Sequence, residues 1–332
     1  MDDIEKFFKV YLIEKIKNGY RYYVVPTSSE EEIRKFLAVL SNEKDVKIKY
    51  KKGEIVLEVK KRKQNYFLNL ILLAATIVST TFAGMLFYPE PNLLGGLVFS
   101  ASIMFVLGSH EMGHYFAARK WKMKTSLPYF IPFPSIVGTL GAVIKHSGVV
   151  PNRKALFDVA VSGPLAGILA AIVVTYIGAK IPFEVDEEPT ILIGIPIIFE
   201  LVLLLAGFQS FFIHPVAFAG WVGFFVTFLN LLPVGQLDGG HVARAMIGKR
   251  AEVVSKIFPF TILLLAIYLD LKGFQSDIWL FWAIFVFFMS LTPHPEILDD
   301  SKRLDLKRSL LGSVVFFLAI LCFTPVPITF YK

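Results

Sequence analysis

The sequence predicts an α-helical polytopic membrane protein of about seven transmembrane helices, with a re-entrant β-hairpin and a small N-terminal α/β domain. Of its 332 residues, 55% are hydrophobic and the mean hydropathy is +0.61, whereas ordinary soluble domains are about 45–50% apolar. Several runs approach or exceed the roughly 18–20 apolar residues that cross a bilayer. Charge is concentrated ahead of them: the first 65 residues carry 16 Lys/Arg and 11 Asp/Glu.

Residues 1–63 are the one sizeable polar region and are predicted to form the α/β domain. Ile4, Phe7, Phe8, Tyr11, Leu12 and Ile16 fall at helical spacing and predict an amphipathic helix. Residues 20–25 read as a strand. Ser28 or Ser29 ahead of Glu30, Glu31 and Glu32 marks a helix start, with Ile33, Phe36, Leu37 and Leu40 as its apolar face. Residues 46–50, the turn Lys51-Lys52-Gly53 and residues 55–59 read as a hairpin. Residues 1–5 are acidic and no short apolar segment follows them, so no cleavable signal peptide is predicted.

Apolar runs follow at 66–88, 93–118, 155–179, 215–232, 257–271, 278–291 and 310–326. An eighth, 191–213, stands almost directly against 215–232. The basic cluster Lys60-Lys61-Arg62-Lys63 precedes the first run, which sets the N-terminus in the cytoplasm. Arg119, Lys120, Lys122 and Lys124 then lie inside and the acidic loop Glu184, Asp186, Glu187, Glu188 outside. If 191–213 crossed, Arg244, Lys249 and Arg250 would fall outside. Its Gly194, Pro196, Glu200 and Gln209 suit a broken or interfacial element, so it is read as not crossing. Seven spans remain. The net charge of +7 is therefore a topology signal, and no nucleic-acid partner is expected. The lone Cys322 excludes an intramolecular disulfide.

The second run ends in His110-Glu111-Met112-Gly113-His114. On a helix the two histidines face the same way, one turn apart, and can ligate one metal ion. Glu111 can serve as general base toward a water activated there. A chance match is common in soluble helices, where water solvates the side chains. Inside an apolar span that solvation is missing, which favours a functional reading. Catalytic zinc usually takes three protein ligands. Candidates for the third are Asp238, His146, His214, His241, Glu200 and the carboxylates near His294. Run 215–232 travels inward and delivers Asp238 to the side where His110 and His114 lie. His214 begins that run at the opposite side; His241 stays open.

His110-Glu111-Met112-Gly113-His114 together with Asn230-Leu231-Leu232-Pro233-Val234-Gly235-Gln236-Leu237-Asp238-Gly239 resembles the site-2 protease family of intramembrane zinc metalloproteases. The family pattern is H-E-x-x-H followed, two spans later, by N-x-x-P-x-x-x-x-D-G. The intervening stretches look most like its prokaryotic and plant-plastid branch, over about residues 66–250. The resemblance implies that His110, His114 and Asp238 bind one Zn²⁺ per chain and that Glu111 is the catalytic acid/base. It also implies that Asn230 holds the substrate backbone. The substrate would be a membrane-anchored protein, cut in or near its transmembrane segment. A prokaryotic cell membrane is the expected location, ahead of a plastid membrane. A proteolytically silent, partner-binding relative is the alternative, against which the intact Glu111 stands. The oligomeric state stays open.

A transmembrane substrate must unwind before its carbonyls can be attacked, and in lipid the freed groups need partners. Pro128, Pro132 and Pro134 prevent a long helix after the second span. Gly138-Thr139-Leu140-Gly141-Ala142-Val143-Ile144 then reads as a strand beside the site. Gly138, Thr139, Leu140 and Gly141 are the candidate substrate-binding residues, by β-augmentation. Ser162-Gly163-Pro164-Leu165-Ala166-Gly167 in the third span reads as close helix packing rather than chemistry.

Overall fold

The computed structural model describes residues 4–51, 54–61, 66–147, 149–183, 191–295 and 297–330. The turn residues Lys52 and Gly53, Arg62 and Lys63 of the basic cluster, and the acidic loop from Glu184 to Glu188 lie outside the described residues.

The N-terminal region contains β1 (Phe8–Ile16), β2 (Gly19–Pro26), α1 (Glu30–Glu43), β3 (Asp45–Lys51) and β4 (Glu54–Lys60). The four strands form an antiparallel sheet in the order β1-β2-β4-β3. Ile33, Phe36, Leu37 and Leu40 of α1 pack on Phe8, Tyr22, Val24, Leu57 and Val59. Ser29 starts α1 with a capping box closed by Glu32, which satisfies two otherwise orphaned backbone donors. The amphipathic helix expected within residues 4–16 is instead strand β1. A bulge between Val10 and Leu12 inserts Tyr11 as an extra residue. That extra residue interrupts the two-residue alternation and makes the apolar positions mimic a helical repeat.

The remainder is mostly helical. α2 (Tyr66–Met85) and α3 (Leu93–Lys120) precede five short strands: β5 (Lys124–Thr125), β6 (Tyr129–Pro132), β7 (Thr139–Val143), β8 (His146–Ser147) and β9 (Val150–Asn152). Then come α4 (Arg153–Ala179), β10 (Ile191–Ile193), α5 (Ile197–Leu205), α6 (Pro215–Asn230), α7 (Asp238–Ile247) and α8 (Ala251–Leu271). The chain closes with α9 (Asp277–Ser290), β11 (Ile297–Asp299), α10 (Leu306–Leu321) and β12 (Ile328–Phe330). Among the described residues, four helical segments are long and apolar enough to cross a membrane: α2, α3, α4 and Asp238–Leu271, which runs from α7 through α8. α5 has nine residues, a rise of about 13 Å against a hydrocarbon core of about 30 Å. By itself that is shorter than a span.

α3, α4 and α6 pack as the central triad. Small residues allow this: Gly220 of α6 abuts Thr175 of α4, and Gly223 abuts Val106 of α3 and Ala171 of α4. The second half is fastened to the triad by charge and by short strands. Arg153 donates to the terminal carbonyls of α7, Ala245 O at 2.9 Å and Met246 O at 3.1 Å, groups that a helix end leaves unsatisfied. β11 pairs in parallel with β9, and β12 pairs with β10.

Candidate active site

α3 carries His110, Glu111 and His114 in its second half, all buried at 5–7% exposure. α6 ends at Asn230, because Pro233 cannot continue a helix. The chain turns through residues 231–237 and restarts as α7, whose first residue is Asp238. The turn is anchored twice: Gly235 N donates to Ser255 Oγ at 2.8 Å, and Gln236 Nε2 donates to the Pro293 carbonyl. Gly239 has room only for hydrogen, since a β-carbon there would meet the Leu231 carbonyl at 2.0 Å. The Asp-Gly pair thus folds the start of α7 tightly under the end of α6 and aims Asp238 back at α3.

The result is a triangle of donor atoms. His110 Nε2 lies 3.1 Å from Asp238 Oδ2, His114 Nε2 lies 3.2 Å from the same oxygen, and the two Nε2 atoms are 3.2 Å apart. His114 Nδ1 donates to the Val159 carbonyl at 2.8 Å, which leaves the lone pair on Nε2, the ligating form of imidazole. Tetrahedral zinc with ligands near 2.0–2.2 Å sets its donors roughly 3.3–3.5 Å apart. The observed triangle fits that edge closely, with two neutral nitrogens and a carboxylate as donors. Among the described residues this is the one group of three or more His, Cys, Asp or Glu arranged to hold a metal ion.

α4 shapes the site in a way the sequence reading missed. Gly163 lies against the His114 ring, and a β-carbon on Gly167 would stand 3.0 Å from His110 Nδ1. The two glycines, four apart, face two histidines, four apart. That matched spacing was the available signal. The stretch read as close helix packing is also the seat of the ligand rings. Pro164 adds to it: lacking an N–H, it cannot bond the Ala160 carbonyl. The helix is thereby loosened beside Val159, whose carbonyl holds His114.

The other expected site residues divide. Asn230 Nδ2 lies 3.3 Å from His110 Nε2, inside the site. β7 pairs with β6 and packs against α3, the helix that carries Glu111. Leu140 is 62% exposed, while Thr139 is buried and its hydroxyl donates to the Ile131 carbonyl. Gly138 is turned away: its φ is +77°, its carbonyl accepts from Ser79 Oγ at 2.7 Å, and it packs on α2. Its role is to bend the hairpin onto that helix. Of the alternative third ligands, His214 caps the far end of α6 and Glu200 lies on α5. Neither they nor His241 join the triangle. Arg244, a conceivable partner for Asp238, instead grips Asp300 through two bonds of 3.1 and 2.9 Å.

Residues 98–268 match the model of peptidase family M50, which spans both halves of the triangle and more than half of the chain. The chain belongs to this family, the site-2 proteases. It is similar to the probable zinc metalloprotease EGY1, chloroplastic, of Arabidopsis thaliana, at 29% identity over 248 residues, 71% of this chain and 44% of that protein. The probable zinc metalloprotease EGY2, chloroplastic, of Oryza sativa subsp. indica is 28% identical over 253 residues, 73% of this chain and 44% of that protein. The EGY1 protein of Oryza sativa subsp. japonica is 31% identical over 228 residues, 65% of this chain and 38% of that protein. The chain spans less than half the length of these curated relatives. No solved structure matches it. The apolar helices fit a membrane protein, and the relatives carry the name of probable zinc metalloproteases. The relatives are named chloroplastic, which does not favour the expected prokaryotic cell membrane.

Proposed function

We propose that this chain is an intramembrane zinc endopeptidase that hydrolyses peptide bonds in or near the transmembrane segments of membrane-anchored proteins. The observation that carries this reading is the buried donor triangle of His110, His114 and Asp238, with Glu111 beside it on the same helix. The three residues would hold one Zn²⁺. A bound zinc ion would supply Lewis acidity, polarising the scissile carbonyl and making a water nucleophilic at neutral pH. Glu111 takes the proton from the attacking water and delivers it to the leaving amine nitrogen. Asn230 donates from its amide to the substrate backbone, and Val159 keeps the His114 ring from turning.

The hairpin β6–β7 is proposed to be re-entrant. Asn69 of α2 donates to the Leu127 and Pro128 carbonyls at its base, and Ser79, ten residues along α2, holds Gly138 near its tip. Ten helical residues rise about 15 Å, half the hydrocarbon thickness. The edge of β7 that faces α3 is proposed to pair with an unwound substrate strand. We further propose seven crossings, in which α6, α9 and α10 span together with their capping turns. Residues 1–63 are proposed as a separate unit on the cytoplasmic side, where Lys60 and Lys61 favour it.

The test is cleavage of a model transmembrane substrate by purified protein, with metal analysis. Glu111→Gln is expected to keep its zinc and to lose about 10²–10⁴-fold in rate. Activity within a few fold of the parent would remove Glu111 from the mechanism. Parent protein that carries zinc yet cuts nothing would favour a silent, partner-binding relative.

A further inference from the structure

We propose that a cavity at the far end of α6 is an exosite for the substrate: it receives the apolar residues that flank the cleaved stretch and selects a Lys or Arg among them. The proposal rests on the endopeptidase reading. The cavity measures about 720 Å³ and is bounded by Tyr88 after α2, Ile136 at the hairpin tip, Phe183, Phe211, Pro215 at the start of α6, and Glu200. That volume lies within the roughly 300–1,000 Å³ of sites that enclose a ligand the size of a few side chains.

Glu200 gives the cavity its chemistry. It sits in the first turn of α5, exposed, among aromatic and aliphatic side chains. No ion pair or side-chain hydrogen bond reaches it from the described residues. A carboxylate with no partner among the described residues is available to a cation. A cation entering there would be stabilised both by that carboxylate and by the faces of Tyr88, Phe183 and Phe211.

Two elements connect the cavity to the chemistry. Ile136 forms part of its wall, and β7 begins three residues later and packs against α3, the helix that carries Glu111. The five extended residues of β7 reach at most about 16 Å. α6 gives an independent ruler, since Pro215 lines the cavity and Asn230 lies at the triangle. Its fifteen intervening steps rise about 22 Å. A substrate strand laid along β7 from Glu111 therefore delivers its next residues into the cavity. The selected Lys or Arg should lie about seven residues from the scissile bond if the intervening chain is extended, and about fifteen if it is helical.

The experiment measures binding of fluorescent transmembrane peptides to the full chain in lipid nanodiscs, on a Glu111→Gln background so that nothing is cut. Three peptides carry Lys, Gln or Glu at the flanking position. Glu200→Gln should weaken the Lys peptide about tenfold and leave the Gln peptide unchanged. Glu200→Lys should reverse the preference toward the Glu peptide. Equal binding of all three to the Glu200 protein, or an equal effect of Glu200 variants on all three, overturns the proposal. A change in co-purified amine-headgroup lipid without a change in peptide preference also overturns it, making the cavity a lipid site. Charge preference without cleavage by the Glu111 parent would keep the exosite and remove the endopeptidase reading. Cleavage without charge preference would do the reverse.

Discussion

Gly163 of α4 stands so close to the imidazole of His114 that a β-carbon at that position would come within 2.1 Å of Nε2, the atom that faces Asp238. The clash cannot be relieved by a flexible chain end, because the ring is fixed on its other side by the Val159 carbonyl. Gly163→Ala is therefore expected to turn or displace His114 and to strip most of the zinc, with activity falling about 10–100-fold, as for a lost ligand-orienting contact. Gly167→Ala meets His110 Nδ1 only at 3.0 Å, where a small shift suffices. It should cost a few fold. Metal content per chain, measured beside thermal unfolding, separates ligand displacement from global misfolding. Full zinc content in Gly163→Ala would contradict the cradle.

The third ligand is testable in the same way. Asp238→Ala removes the only oxygen corner of the triangle and should lower zinc occupancy by about 10-fold or more at limiting metal. His241→Ala, one turn further along α7, should leave occupancy within about twofold. The opposite ranking would replace the ligand set.

Much of this site was legible because its parts are short-range patterns. His110 and His114 on one helix face, and Pro233 stopping α6 before Asp238, follow from helix geometry and proline chemistry alone. What could not be read was contact across helices. The two glycines of α4 advertise only a close approach, and the sequence does not say that the approaching groups are the ligand rings. Gly138 shows the same limit: a glycine in a strand pattern marks either an open backbone or a sharp bend, and only α2 packed beside it decides. In the N-terminal region the bulge at Tyr11 defeated periodicity. β2, α1 and the β3–β4 hairpin, which have clean caps and alternation, were read correctly.

The N-terminal sheet has its own charge device. Glu58 lies on the sheet face opposite α1 and accepts from Arg21 at 2.8 Å and Lys49 at 3.2 Å, and these hydrogen bonds hold its carboxyl down to about 2. Its unfolded value is about 4.3. A depressed acid stabilises the fold above the unfolded value and loses that contribution as pH falls through the folded one. Hydrogen-exchange protection of β2 and β4, corrected for intrinsic rates, should therefore decline between about pH 4.5 and 2. Glu58→Gln should start lower and be flatter over that window. Identical pH profiles would mean that the cluster is solvated and contributes nothing.

The last prediction concerns which edge of β7 is open. Ser126 N donates to the Lys145 carbonyl at 3.0 Å and Lys145 N donates to Ser126 Oγ at 2.9 Å, so the backbone of Lys145 faces the strand preceding the hairpin. Ile144, its neighbour along the chain, faces the other way. In an antiparallel strand successive residues alternate in the direction of their backbone groups. Val143, two residues back from Lys145, therefore points at Tyr129 of β6, and Ala142, although in register with Phe130, belongs to the non-hydrogen-bonded pair, so that its N–H turns to the outer edge of β7. The register shift between Phe130 and Pro132 limits this alternation to the stretch from Ala142 onward. Ala142→Pro deletes a donor on the open edge and should slow cleavage of a transmembrane substrate at least about tenfold with zinc content near normal. Val143→Pro deletes a donor within the hairpin and should instead loosen β6–β7, seen as faster hydrogen exchange in both strands. Because proline also fixes φ, an amide-to-ester replacement in the substrate provides a second probe. It removes one hydrogen-bond donor without touching the enzyme, and at the residue paired with Ala142 it should cost about fivefold. Normal cleavage in Ala142→Pro, together with indifference to the ester, would leave the hairpin as scaffold and the substrate held by Asn230 alone.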